Sequence, residues 1–514
     1  MEAAPTPVTA DGAGSSTALP EGDRLAGLRC FAAVLLALTA LHIVLAVALP
    51  VSGDEAYYWD CSRHAEWSTF DQPKLVIWAM APFRAVLGET RLAVRAPAVV
   101  ASLLIGLMLL PLARRLGGTP RHAALAYLVL HLTPLMFLGS FYASTDIAMA
   151  AAYLGAAWAA VALAQGEQRA WWGFGIAAGL GFLAKFPIVT VLPAVVPAIL
   201  RGPARGHLRT PVPYLAAALS CGLTLPVWVW AVQHDWDNIR FQLQGRHTDT
   251  GFTLTYLGEY LGAIALLLTP FLLAAFAVAW WRSRRPCRPD WLAARLAAVL
   301  PLALFAAVGL RTRVSPHWGT TGVVVAAVLL VLVAFRGRSA LVACGAVVGL
   351  GLSLAAVAIV LQPERLLAVS WSYRGQPKRI STGALAELVG NDEIVARLEA
   401  LRRPDELVAS ESYSDVHLYA FLSGGRLPTR LANIRGGKHG LASLYWYRPG
   451  ELAGRDMLFV TDREGQEQVL RGLFEEVRAE PPIEIERDGK VIRSVLLYRC
   501  RSLLQPEGAF TRLK

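Results

Sequence analysis

Two successive carboxylates, Asp54 and Glu55, open the run Asp54-Glu55-Ala56-Tyr57-Tyr58-Trp59-Asp60, directly after an unbroken apolar stretch from Cys30 to Pro50. A placed carboxylate can take a proton from a hydroxyl, and the faces of Tyr57, Tyr58 and Trp59 suit a sugar ring. Set at the end of a membrane-length apolar segment, this cluster points to a polar substrate handled against a bilayer. In a helix starting near Gly53, Asp54 falls in the first turn, where the helix end favours an anionic side chain that can act as a base. The same position also suits a plain helix cap flanked by an interfacial aromatic belt.

A further acid, Asp146, follows Ser144-Thr145 in a very short turn between two apolar runs. An acid at the bilayer centre costs roughly 2.5–3.5 kcal/mol, so Asp146 either caps the next helix or faces the outer cavity that Asp54 faces. Lys185 ends an apolar segment with no acid near it in sequence, and Arg246-His247, Arg313 and His317-Trp318 stand at other span ends. Cations converging on one bilayer face suit a lipid-borne phosphate. Taken singly, each would snorkel to headgroups, and His317 alone reads as a hydrogen-bonded interface histidine.

The elements that must position these groups follow from composition. The 514 residues are 55% hydrophobic and 17% charged, with a mean hydropathy of +0.44, which excludes an ordinary soluble enzyme. Apolar stretches of about 20 residues recur from Cys30 to Leu361 and then stop. Spans are expected near 30–50, 92–113, 122–139, 147–164, 171–185, 187–201, 213–231, 256–281, 291–310, 319–335 and 339–361, about eleven crossings. The net charge of +11 traces to Arg groups in alternate connections, at Arg114, Arg201, Arg282 and Arg336 and their neighbours. That is the positive-inside pattern and not a nucleic-acid surface. One kinked helix across Lys185-Phe186-Pro187 would invert everything downstream, and the later Arg groups decide for two spans with a break between them.

Residues 1–28 read as a disordered cytoplasmic tail. Ala46-Val47-Ala48 resembles a cleavage site, but the length of the apolar run and Pro50 favour a retained first span. Residues 29–361 form the transmembrane module, with the outer loop 51–91, and 362–514 an extracytoplasmic α/β domain. That tail shows a helix near 384–401, a strand at 407–409, a helix at 415–422, a strand at 457–460, a helix near 464–475 and a hairpin, 483–487 with 490–499, around Asp488-Gly489. It holds no Gly-rich phosphate loop. The six cysteines have no C-x-x-C or zinc spacing; Cys61 and Cys500 would share the outer compartment, where pairing between them stays open.

The run Gly53-Asp54-Glu55-Ala56-Tyr57-Tyr58-Trp59, with Phe70-Asp71-Gln72-Pro73, Asp146, Gly181-Phe182-Leu183-Ala184-Lys185-Phe186 and Pro316-His317-Trp318, resembles the GT-C membrane glycosyltransferases of family 39. These include protein mannosyltransferases and the lipid A aminoarabinose and galacturonic acid transferases. Glu411-Ser412-Tyr413 and Leu418-Tyr419-Ala420-Phe421 look like the soluble domain of bacterial members. The resemblance implies an inverting transfer of a sugar from a polyprenyl-phosphate donor to a hydroxyl of an envelope glycolipid of the lipid A kind, or of a protein. It places the site and the tail at the periplasmic face of a bacterial inner membrane. Asp54 matches the family's base and Asp146 its second acid, with Glu55 beside them. Lys74, Lys185, Arg246, Arg313 and His317 are the candidate phosphate ligands, and Tyr57, Tyr58, Trp59, Asp71 and His247 the candidate sugar or acceptor contacts. Where the family has His-Pro-Pro or Lys-Pro-Pro, this chain has Gln72-Pro73-Lys74, which displaces the cation by two positions. No cofactor is required by this chemistry; a divalent cation and the oligomeric state are left open, and no nucleic-acid partner is expected.

Two rival readings are a transporter or flippase for a lipid-linked sugar and a non-catalytic binding subunit. A transporter would show internal repeats with broken helices at mid-membrane. The sequence has no such repeat, and its acids collect at one face.

Overall fold

Among the described residues six helices are long and apolar enough to cross a bilayer: Glu21–Ala48, Arg91–Arg115, Thr145–Ala164, Val212–Gln233, Pro289–Val308 and Ala340–Leu361. The structure is a computed structural model that describes residues 20–245, 251–285, 287–333, 340–367, 370–373, 376–379, 388–487 and 489–512. Thr255–Leu268 and Pro270–Arg282 make a seventh crossing only if taken as one span, and they are bent by 96°. The bend sits at Thr269, whose φ of 61° and position before Pro270 both leave the right-handed helical region. The remaining expected spans are short helices. Ala170–Ala184 stops at Lys185, and a 3-10 helix, Phe186–Val195, follows, because Lys185 precedes Pro187 by too little to carry an α-helix through. The count of eleven spanning helices is therefore not met, although apolar elements stand at each of the eleven places.

The membrane core is built from Ala-rich faces of Arg91–Arg115, Thr145–Ala164 and Pro289–Val308 and the Val- and Leu-rich helix Val323–Val333, packed around Tyr127 and Tyr153. Such small residues let helices approach closely where no hydrophobic drive between helices exists.

Beyond the membrane helices, a two-stranded ribbon of β1 (Ser370–Tyr373) and β2 (Gln376–Arg379) leads to the tail sheet. Its strands are β3 (Leu407–Ser410), β4 (Thr429–Leu431), β5 (Met457–Thr461), β6 (Phe474–Arg487) and β7 (Lys490–Leu503), in the order β4-β3-β5-β7-β6. β3 is parallel to β4 and β5, while β7 runs antiparallel to β5 and β6. The buried run of β3 and β5 fits strands covered on both faces. The helix expected near 384–401 is described from Asn391 to Leu401, and Asp488 of the hairpin lies outside the described residues.

The segment 51–91 folds into the helices Gly53–Cys61 and Leu75–Leu87. Its first helix packs against the tail. Tyr57, Trp59, Val76 and Met80 share one apolar core with Leu418 and Phe421 of the tail helix Tyr413–Leu422. Gly53 permits this approach: a Cβ there would lie 1.7 Å from Ser414 Oγ and 2.7 Å from Ser414 Cα.

Candidate functional site

The start of the first-loop helix is capped by Ser52 and Glu55, not by Asp54. Ser52 Oγ accepts from Glu55 N at 3.3 Å and the Glu55 carboxylate accepts from Ser52 N at 3.0 Å, a reciprocal capping box. Asp54 is thereby left exposed on the helix surface. The Tyr413 hydroxyl donates to its Oδ1 at 2.6 Å and the Tyr142 hydroxyl to its Oδ2 at 3.3 Å. Each carboxylate oxygen has further acceptor capacity, so these two bonds orient Asp54 without consuming it.

Asp54 and Asp146 line the same cavity, of about 360 Å³, with Tyr58, Tyr142 and His317 at its polar end and Leu135, Ile147 and Val324 among its apolar walls. The Tyr58 phenol is held well above its ordinary range by burial first, then by the negative charges of Asp54 and Asp146. Two carboxylates from separate elements thus act on one hydroxyl. Tyr142 is raised in the same way, by burial and then by Asp54 and Glu55, so both phenols keep their protons and remain donors.

Asp146 stands in the first turn of Thr145–Ala164, and neither it nor Ser144 makes a side-chain cap. It instead accepts from Lys185 Nζ with both carboxylate oxygens, at 2.8 and 2.9 Å, while His317 Nε2 lies 3.6 Å away. The break after Ala184 is what brings Lys185 to this place. Lys185 also lies 5.5 Å from the Trp318 ring centroid and lines a second cavity, of about 290 Å³, with Gln72, Phe182, Gln242 and Trp318. The Asp146–Lys185 pair therefore stands between an apolar-walled cavity holding Asp54 and a second one facing Phe182 and Trp318.

Glu55 has a different part from its neighbour. It is fully buried and takes two hydrogen bonds of 2.7 Å from Arg95 and one of 3.0 Å from Ala143 N. Arg95 in turn donates to the carbonyls of Ala46, Leu49 and Pro50, the orphan acceptors at the end of the first membrane helix. This clasp joins three segments and leaves Glu55 no face toward the cavity, so it is a positioning residue and not a group that touches substrate.

The aromatic run is divided likewise. Tyr58 lines the cavity, with its hydroxyl accepting from Gln72 Nε2 at 2.7 Å. Tyr57 is buried with its hydroxyl on Asp71 and its ring 4.9 Å from His417. Trp59 is buried against Phe421, donates to Glu89 and carries Arg63 on one face at 4.8 Å. Both rings serve the seam between loop and tail, where no sugar could stack on them. Asp71 lines the second cavity. Lys74 is buried, with Nζ on the carbonyls of His64 and Glu66; it ties the loop and does not reach either cavity. Arg313 is exposed, paired with Glu259 at 3.0 Å, and lines neither cavity. Arg246 and His247 lie outside the described residues. Cys61 and Cys500 are buried free thiols. Among the described residues no three His, Cys, Asp or Glu side chains gather as metal ligands.

Sequence reasoning missed Arg95, Tyr142 and the Ser52–Glu55 box, and it quoted Tyr413 only within a tail motif, with no part at Asp54. The box was legible as Ser-x-x-Glu before an apolar run, and Arg95 as a lone cation inside an apolar span. Tyr142 carries no local signal.

Residues 71–230 match the family described as dolichyl-phosphate-mannose-protein mannosyltransferase. An undecaprenyl phosphate-alpha-4-amino-4-deoxy-L-arabinose arabinosyl transferase from Edwardsiella ictaluri is 28% identical over 388 residues, 66% of each chain. A lipid A galacturonosyltransferase from Rhizobium johnstonii is 26% identical over 293 residues, 54% of this chain and 59% of that one. The matches span roughly two thirds or less of these relatives' lengths. Among solved structures, ArnT from Cupriavidus metallidurans bound to undecaprenyl phosphate superposes with a TM-score of 0.64 at 14% identity, over 93% of this chain and 98% of that one.

Proposed function

We propose that this chain, which has the GT-C fold of membrane glycosyltransferases, transfers a sugar from a polyprenyl-phosphate donor to an acceptor hydroxyl, with inversion. The observation that carries the reading is the shared cavity of Asp54 and Asp146, with Lys185 bridging it to the second cavity. Asp54 removes the acceptor proton as the acceptor oxygen attacks the anomeric carbon. The bond from that carbon to the lipid phosphate oxygen breaks, and the phosphate leaves as an anion beside Lys185. A cation preset where charge develops lowers the barrier. Asp146 holds Lys185 in place, and His317 borders the same carboxylate.

The relatives' names favour an undecaprenyl-type donor and a lipid A-like acceptor ahead of a protein. Apolar walls in the Asp54 cavity support a substrate carried by a lipid. We place the site and the tail domain at the periplasmic face of an inner membrane, a reading supported by the Arg-rich alternate connections. A positioned base contributes about 10²- to 10⁴-fold, so Asp54→Asn should lower transfer from a polyprenyl-phosphate sugar by at least about 100-fold with an unchanged melting temperature. Full activity of that variant in detergent would end the assignment.

A further inference from the structure

At the far end of the first-loop helix, six residues and about 9 Å of helical rise from Asp54, lies a cavity of about 240 Å³ where loop and tail meet. Arg63 enters it from the loop and Arg430 from β4. Asp60 is the one carboxylate on its lining, and that acid is already bonded to His417 Nδ1 at 2.9 Å and to Arg63 at 3.2 Å. Arg430 is packed 3.7 Å over the Tyr447 ring, and its only acceptor among the described residues is the Thr429 carbonyl, with Nε buried and unbonded. A guanidinium has five donors, and this half-buried one has a single acceptor among the described residues, so it is short of anionic partners. Trp446 also lines the cavity, stacked on His64 at 3.7 Å and 14°. His64 is pushed down to about 4, by burial above all and by Arg63, Lys74 and Arg430 acting against Asp60. The local field is thus positive, and a neutral imidazole extends the ring stack.

Two guanidiniums beside a flat aromatic wall have the parts to hold a ring that carries an anion: forked donors for the oxyanion and a face for the sugar. We propose that this cavity is a binding site for a sugar bearing a phosphate monoester or carboxylate, separate from the Asp54 cavity. The reading rests on the glycosyltransferase assignment only in suggesting that such a sugar belongs to an acceptor; the site itself does not.

The test is titration calorimetry of the full chain in detergent with glucose 1-phosphate, inorganic phosphate and glucose. Glucose 1-phosphate should bind and glucose should not. Arg430→Gln should weaken binding about tenfold or more, and Arg63→Gln, on a partly exposed side chain, should weaken it while keeping the melting temperature. Asp54→Asn should bind as the parent does, which separates this site from the catalytic reading. Failure of glucose 1-phosphate to bind, unchanged binding in a folded Arg63→Gln variant, or inorganic phosphate binding as tightly as the sugar phosphate would overturn the proposal.

Discussion

Asp54 and Glu55 are adjacent in the chain, yet one faces a cavity shared with Asp146 while the other is sealed against Arg95. The same division runs along the whole first-loop helix: Asp54 and Tyr58 border the cavity, whereas Tyr57, Trp59 and Asp60 are spent on the tail helix. Residues of identical type on one short helix therefore do different work according to which neighbour covers them. The lesson is that chemistry is confined to the side left uncovered, and that the covered side sets its geometry.

The sharpest way to break this division is a paired substitution. Asp54→Asn should abolish transfer and leave stability alone. Glu55→Ala should do the reverse first: removing one partner of a buried ion pair costs about 3–5 kcal/mol, read as a lowered melting temperature and poor yield. A stable, inactive Glu55→Ala variant would instead make Glu55 a catalytic group. Next in size, Lys185→Met removes the cation between the cavities. A hydrogen bond to a charged group contributes about 1.5–3 kcal/mol, so kcat/KM for the donor should fall at least about tenfold, with the acceptor KM little changed; an effect on the acceptor alone would place the donor phosphate elsewhere.

A smaller effect is expected from Tyr413→Phe, which deletes the 2.6 Å bond to Asp54 from the tail. A loss near 1 kcal/mol corresponds to about fivefold in kcat, and no change would mean that the tail does not orient the base. Smallest is the contribution of Asp60 to stability. Burial pushes its pKa up, but the hydrogen bond and charge of His417, aided by Arg63, outweigh it and hold it below the ordinary 3.8. A depressed carboxylate stabilises the fold above its unfolded pKa and ceases to do so as pH falls through the folded one. The melting-temperature gap between the parent and Asp60→Asn should be present at neutral pH and close below about pH 3.8; a gap that persists in acid would contradict the pairing.

Much of the site was legible because single residues carried strong local signals. An acid directly after a membrane-length run, and another two residues into an apolar helix, each read either as a helix cap or as a cavity group. The break at Lys185 was legible only with the later Arg groups, since Pro187 alone fits a kinked helix as well as a break. Less legible was the division of labour among the aromatics, because Tyr57, Tyr58 and Trp59 look alike until the tail helix arrives. Lys74 and Arg313 were placed on the phosphate because cations near a bilayer invite that reading; backbone carbonyls of His64 and Glu66 hold the first, and Glu259 the second.

By itself the chain determined its helical membrane character, the position of the carboxylates at span ends, the capping box at Ser52 and the alternating strands and helices of the tail, since all of these follow from periodicity and local hydrogen bonding. Only the tertiary structure decided that Asp54 and Asp146 open on one cavity, that Arg95 closes on Glu55 across 40 positions, and that Tyr413 reaches Asp54 across 359. Contacts of that separation depend on how helices and the tail sheet pack, and no local pattern of residues encodes the packing.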